Sequence, residues 1–170
     1  MKISKIALLA FLVLGGLASM SHFKILSASE ATPKTMIPVK TWYSIQEVQQ
    51  LQQDNPKKVI VDIYTDWCRW CKVMDETTFS DAATLAYLQE NYYLVKLNAE
   101  TPTAINFKGT NYEFVKGGRK GYHQLAAALL NGGLSYPSFV VLDENLNTIE
   151  VIKGYKEAKA FRAALEKIEM

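Results

Sequence analysis

The sequence predicts an α/β fold, a central mixed β-sheet flanked by helices, on three observations. Lys57 to Tyr64 is a continuous β-branched run, the mark of a strand buried on both faces. Strand and helix patterns alternate through the first half of the chain, as parallel α/β units do. Two strand patterns then follow each other across the turn Glu144-Asn145, which adds an antiparallel pair. The 170 residues, 49% of them hydrophobic, suit one domain with a packed core plus a short targeting segment. A net charge of +2 leaves no basic footprint for nucleic acid. Two cysteines are too few for a disulfide-stapled scaffold.

The elements are read in chain order. Lys2 and Lys5 precede the apolar run Ile6 to Leu14, which is shorter than the roughly 20 residues of a spanning helix. Gly16-Leu17-Ala18 and Ser19-Met20-Ser21 both offer a small-x-small cleavage pattern. Residues 1–21 are therefore expected to be a signal peptide, with a membrane anchor as the alternative. Either places the rest of the chain outside the cytoplasm. Residues 22–38, with Ser, Thr, Ala, Lys and two prolines, read as a linker. The domain spans 39–170.

Val39 to Trp42 is a candidate edge strand. Ser44 with Glu47 forms a capping-box signature for a helix to Gln53, stopped by Asp54-Asn55-Pro56. After the strand at 57–64, Lys72 to Glu76 reads as helical, and Thr77-Thr78-Phe79 breaks it. Ser80 is the expected cap of a helix over Asp81 to Asn91, with Leu85 and Leu88 on one face. Tyr92 to Asn98 is the third strand. Ala99 to Gly121, rich in Gly, Asn and Lys, is an insertion after it, with Tyr112 and Phe114 suggesting a small hairpin arm. Tyr122 to Leu130 reads as a helix closed by Asn131-Gly132-Gly133. Pro137 to Asp143 and Thr148 to Lys153 form the hairpin, and Lys156 to Ile168 a terminal amphipathic helix.

The chemistry centres on Cys68-Arg69-Trp70-Cys71. Cysteines at this spacing can close a small disulfide ring at a helix start. The first sulfur then faces the free N–H groups and the positive end of the helix dipole, which favours its thiolate. Arg69 and Lys72 add positive charge. Cys68 is thus the expected attacker of a disulfide and Cys71, one turn further in and better shielded, the resolver. A structural disulfide over so short a loop stabilises little. Zinc needs four ligands, or three plus water, and the mature region offers only two cysteines, His123 and at most His22, with no second cysteine pair, so neither metal nor cofactor is expected. Copper or haem handling is a further alternative, though no histidine follows Cys71 directly for c-type haem attachment.

Other residues carry two readings each. Asp62 interrupts an apolar strand. As a buried carboxylate it can exchange a proton near neutral pH, or it simply caps a loop or meets a lysine. Trp67 is a core aromatic or a neighbour of the site. Trp70 touches substrate or covers its helix. Lys116, Arg119 and Lys120 are a solvated turn or a docking arm.

The run Val61-Asp62-Ile63-Tyr64-Thr65-Asp66-Trp67-Cys68-Arg69-Trp70-Cys71-Lys72 resembles the active-site strand and helix of the thioredoxin superfamily. The extension to Thr78-Phe79-Ser80-Asp81 is similar to the C-terminal thioredoxin-like domain of transmembrane thiol:disulfide interchange reductases, and to small exported thioredoxin-like proteins of bacteria. The resemblance covers Val39 to Ile168 and implies a thioredoxin fold. It implies that Asp62 serves proton transfer to Cys71 and that Trp67 packs beside the site. It also implies that the Tyr136-Pro137 bond is cis opposite the cysteines, with the Tyr136 backbone pairing to an extended substrate. Gly154 then lets substrate approach, its alternative being a plain turn glycine. Arg-Trp between the cysteines, where ordinary thioredoxin has Gly-Pro, and the long 99–121 segment depart from that pattern.

The expected function is a thiol:disulfide oxidoreductase of the bacterial cell envelope, in the periplasm or on the outer face of the cytoplasmic membrane. It would reduce protein or peptide disulfides, draw on a membrane or envelope thiol electron donor, and act as a monomer, since no dimerisation segment is present. The alternative is a thioredoxin-fold binding module handling a client or metal with little turnover. A disulfide isomerase is a third reading.

Overall fold

The computed structural model describes residues 42–117 and 120–168. The signal peptide, the linker and most of the Val39 to Trp42 strand lie outside the described residues. Trp42 itself is not in a strand, and Tyr43 forms an isolated parallel bridge with Val95.

Ser44 caps helix α1 (Ile45–Asp54) through the expected box: its hydroxyl accepts from the Glu47 N–H, and the Glu47 carboxylate accepts from the Ser44 N–H. Strand β1 (Lys58–Tyr64) follows, then helices α2 (Arg69–Glu76) and α3 (Ala82–Asn91) and strand β2 (Tyr92–Asn98). Helix α2 begins earlier than Lys72, because Cys68 supplies its cap. The cap of α3 is Asp81, not Ser80: the Asp81 carboxylate accepts from the Thr84 N–H and hydroxyl, while Ser80 donates to the Asp75 carbonyl.

The insertion folds into two short antiparallel ladders. One joins β3 (Ile105–Phe107) to β4 (Thr110–Tyr112), the other β5 (Phe114–Val115) to β6 (Tyr122–His123). Tyr122 and His123 therefore extend this ladder instead of opening a helix, and helix α4 is Gln124–Leu129. Gly121 is required there, since a Cβ would stand 2.4 Å from the Val115 carbonyl oxygen. Strands β7 (Ser138–Leu142) and β8 (Thr148–Lys153) and helix α5 (Ala158–Glu166) complete the chain.

The main sheet has the order β2-β1-β7-β8. The β1–β2 pair is parallel; β1–β7 and β7–β8 are antiparallel. Alternation along β1 splits the core in two. Val59, Val61 and Ile63 pack with α1, α4 and β3, whereas Ile60 packs with Met74 of α2, Leu88 of α3 and Phe161 of α5. Phe79, in the turn after α2, meets Phe139 and Phe161 at ring-centroid distances of 5.6 and 5.5 Å. This aromatic cluster fixes the far end of α2 against the sheet.

His123 ties the insertion to this frame. Its backbone N–H donates to Ala99, its Nδ1 accepts from the Leu125 N–H, and its Nε2 pairs with the Thr103 carbonyl at 3.1 Å. These partners require the neutral ring with the proton on Nε2. Burial lowers its pKa from 6.5, against a smaller opposing pull from the Thr103 carbonyl. The unfolded chain therefore binds the proton first, and stability falls as pH drops below about 6.5. Urea unfolding of the native chain and His123→Asn at about pH 7.5 and about pH 5 should show the stability advantage of the native chain shrinking in acid. An advantage of constant size would contradict this role.

Candidate active site

Strand β1 ends at Tyr64, and the chain turns sharply, with the Cys68 N–H donating to the Thr65 carbonyl at 3.0 Å. Cys68 then occupies the N-cap of α2. Its Sγ accepts from the Cys71 N–H at 3.1 Å, where a capping oxygen would otherwise sit. The two cysteines are joined as a disulfide, with Cα atoms 5.3 Å apart. Each is 5% exposed, so in this oxidised state Cys71 is not better shielded than Cys68 as a residue. The ring closes both sulfurs into one small unit. Cys68 Sγ sits at the N-terminus of α2 with the Cys71 N–H directed at it, a position that stabilises negative charge.

Asp62 lies on the β1 face covered by α2 and is 2% exposed. Its sheet neighbours are Lys96 on β2 and Phe139 on β7. Lys96 Nζ stands 3.3 Å from Asp62 Oδ2 and bonds both oxygens of Asp75 on α2, at 2.5 and 2.7 Å. It also sits 5.0 Å from the ring centroids of Trp42 and of Tyr64. Asp62 Oδ1 has no hydrogen-bond partner among the described residues. Burial pushes the Asp62 carboxyl up to about 6; Lys96 pulls it back in part and Asp75 adds to the rise. For Lys96, burial lowers the pKa, but the charges of Asp62 and Asp75 outweigh it and the net direction is upward. Asp62 is thus a buried carboxylate that meets a lysine.

The aromatic residues stand out from the surface. Trp67 is 54% exposed, which removes the core-aromatic reading. Its Nε1 donates to Glu100 at 2.9 Å, its ring meets Tyr136 edge-on at 6.0 Å, and Lys120 Nζ lies 4.1 Å from its centroid. Trp70 is 55% exposed and tilts against Tyr155 at 5.0 Å. The Tyr136–Pro137 bond is cis, and the Pro137 carbonyl accepts from the Gly154 N–H. Gly154 has φ +78°, which favours glycine, and open space where a Cβ would stand.

The sequence-predicted residues Cys68, Cys71, Asp62, Trp67, Trp70, Tyr136, Pro137 and Gly154 thus fall at one end of the sheet. Sequence reasoning missed Lys96, Asp75, Glu100 and Tyr155. Asp75 was findable, one turn beyond Cys71 on the same helix. Lys96 required the β1–β2 register. Lys120 of the basic cluster is exposed in a bend, as a solvated turn would have it, and its Nζ also lies over Trp67; Arg119 lies outside the described residues. Among the described residues no group of three or more His, Cys, Asp or Glu side chains is placed to hold a metal ion. No described helix is long and apolar enough to cross a membrane.

A family model, the thioredoxin-like domain, matches residues 45–169. The chain is 36% identical over 55 residues to a thiol:disulfide interchange protein, DsbD, of Campylobacter jejuni, covering 32% of this chain and 10% of that protein. It is 25% identical over 145 residues to the DsbD of Haemophilus influenzae, covering 84% of this chain and 22% of the relative. The chain therefore spans only about a tenth to a fifth of the length of these curated relatives. In fold it is similar to a thioredoxin from Thermus thermophilus, with a TM-score of 0.56 and 19% identity over 76% of this chain and 86% of the other.

Burial of Asp62 has a measurable cost. Its carboxyl takes up a proton more readily in the folded state (pKa about 6) than at its ordinary value of 3.8. Stability is therefore lost as pH rises from about 4 to about 6, and the loss is complete above that. Asp62→Asn should raise unfolding free energy at about pH 8 by about 2–3 kcal/mol. The gain should vanish near pH 3, as read by denaturant unfolding. A destabilised Asn variant at pH 8 would show that the Lys96 pair outweighs burial.

Proposed function

The chain belongs to the thioredoxin-like family, and from that premise we propose that it is a thiol:disulfide oxidoreductase that reduces protein or peptide disulfides through Cys68 and Cys71. The observation that carries this reading is a disulfide held at the N-terminus of α2, with the buried carboxylate of Asp62 on the sheet face that α2 covers. In the reduced protein the Cys68 thiolate, stabilised by the α2 amides, attacks one sulfur of a client disulfide. The client's other sulfur leaves as a thiolate and takes a proton. Cys71 then gives its proton to Asp62 and attacks Cys68 Sγ. The second client thiolate is released, and the Cys68–Cys71 disulfide closes. Two electrons have passed to the client, and a thiol donor must restore the pair.

Asp62 suits proton transfer because a carboxyl with a pKa of about 6 is populated in both forms near neutral pH. Trp67, Trp70, Tyr136, Pro137 and Gly154 form the surface against which the client lies, with the Tyr136 backbone offered as a pairing edge. The chain works outside the cytoplasm, in the periplasm or at the outer face of the membrane, as a monomer fed by an envelope thiol donor. This location is supported by the basic and apolar pattern of residues 1–21.

Insulin reduction should be abolished in Cys68→Ser, and equal activity in that variant would remove Cys68 from the mechanism. Cys71→Ser should accumulate client mixed disulfides on Cys68; trapping by Cys68→Ser alone would reverse attacker and resolver. Equilibration with glutathione tests direction, because a reduction potential near about −120 mV marks a strong oxidant and would overturn the reductase assignment. Asp62→Asn should slow resolution of the mixed disulfide roughly tenfold or more and flatten the pH dependence of that step near pH 6.

A further inference from the structure

Five large apolar side chains stand exposed among the described residues, and four of them are Trp67, Trp70, Leu134 and Tyr155. All four lie in the segments around the disulfide: Trp67 and Trp70 flank Cys68, Leu134 leads into the cis Tyr136–Pro137 bond, and Tyr155 follows Gly154. An exposed apolar patch concentrated in this way marks an interaction surface. It is built of two aromatic pairs. Trp67 with Tyr136 is held by Glu100 and Lys120, both contributed by the insertion. Trp70 with Tyr155 lies on the other chain side of Cys68 and joins the start of α2 to the end of β8.

Cations surround the pairs. Arg69 and Lys72 are exposed beside Trp70, Lys120 stands over Trp67, and Lys153 ends β8 just before Gly154. Against them stand Asp66 and Glu100, the second already bonded to Trp67. A client must bring its own cysteine sulfur to Cys68 Sγ, so the residues next to that cysteine arrive at the aromatic pairs, and those further out arrive at the cations.

Resting on the oxidoreductase reading, we propose that this protein selects extended client segments that carry bulky apolar side chains next to the cysteine and acidic residues beyond them, with Trp70 and Tyr155 as the specificity-determining pair. Apolar contact at the pair discriminates side chains, and the outer cations speed encounter with an acidic segment. In each turnover the client disulfide becomes two thiols, the Cys68–Cys71 dithiol becomes a disulfide, and an added dithiol reagent restores it.

Three synthetic peptides, each dimerised through its single cysteine, test this with the pre-reduced full chain in stopped flow. The first has leucines beside the cysteine and aspartates outside them. The second replaces the leucines by serines, and the third replaces the aspartates by lysines. The first should react roughly tenfold faster than the second. It should also outpace the third several-fold at low salt, a gap that closes at about 0.5 M salt. Trp70→Ala and Tyr155→Ala should each cut the leucine-to-serine rate ratio to below roughly threefold, and Trp70→Phe should restore it. A shift in redox balance alone scales both rates together and leaves the ratio unchanged. Equal rates for the two acidic peptides, equal rates for acidic and basic flanks at low salt, or a ratio untouched in both alanine variants would overturn the proposal. If the native chain reduces neither the peptides nor hydroxyethyl disulfide, the oxidoreductase reading falls and the selectivity falls with it.

Discussion

A carboxylate sealed between a helix and a sheet, with one lysine beside it, is the constraint on which the site depends. Asp62 can occupy its place only if β1 is covered on both faces, and the β-branched run 58–64 ensures that. It has a counter-charge only if β1 and β2 pair in the observed register, which sets Lys96 next to it. A slip of one residue would turn Lys96 to the opposite face and leave the carboxylate with Phe139 alone on that side. Lys96 then reaches up to Asp75, so the same cation that steadies the strand also ties down α2. The position of Cys68 follows from this, because the helix that Lys96 holds is the helix that Cys68 caps.

The rim is organised by different forces. Trp67 and Trp70 lose little water on folding, and edge-on or tilted ring contacts, one hydrogen bond and one cation keep them in place. The insertion thereby contacts the exposed indole next to Cys68. Glu100 at its start and Lys120 near its end both act on Trp67, and His123 anchors its last ladder to Ala99 and Thr103. A segment without a core of its own is fixed at both ends and delivers two polar groups to one indole.

What the sequence revealed divides along the same line. Strands β1, β2, β7 and β8 and helix α1 were legible because burial period and capping chemistry are local signals. Asp81 was misread in favour of Ser80 because both are good caps, and only the partner of each distinguishes them. Tyr122 and His123 were misread as helical because the Ala-Leu pattern of α4 runs up to them. Their pairing with Phe114 and Val115 is a tertiary fact. Cys68, Cys71 and Asp62 were found from spacing and from polarity inside an apolar run. Lys96, Glu100 and Tyr155 could not be found that way, since each acts across more than 30 residues of chain.

The pattern of satisfied and unsatisfied groups bears on why Asp62 is present at all. The polar residues buried in the described core are Asp62, Thr65, Thr78, Thr84, His123 and Ser138. Thr78 donates to Lys156, Thr84 to Asp81 and Ser138 to Ser135, and both ring nitrogens of His123 are engaged. Those four are tied off in the usual way of protein interiors. The two orphaned atoms, Asp62 Oδ1 and Thr65 Oγ1, both lie at the end of β1 that leads into Cys68. Stability alone would favour an apolar residue or a fully bonded amide at position 62. A carboxylate there, with Oδ1 unpartnered among the described residues and burial raising its pKa to about 6, is expected to lower the stability of the folded state at neutral pH. That cost falls on the strand that leads into Cys68, and under the proposed mechanism it is offset by a group able to take up and release a proton.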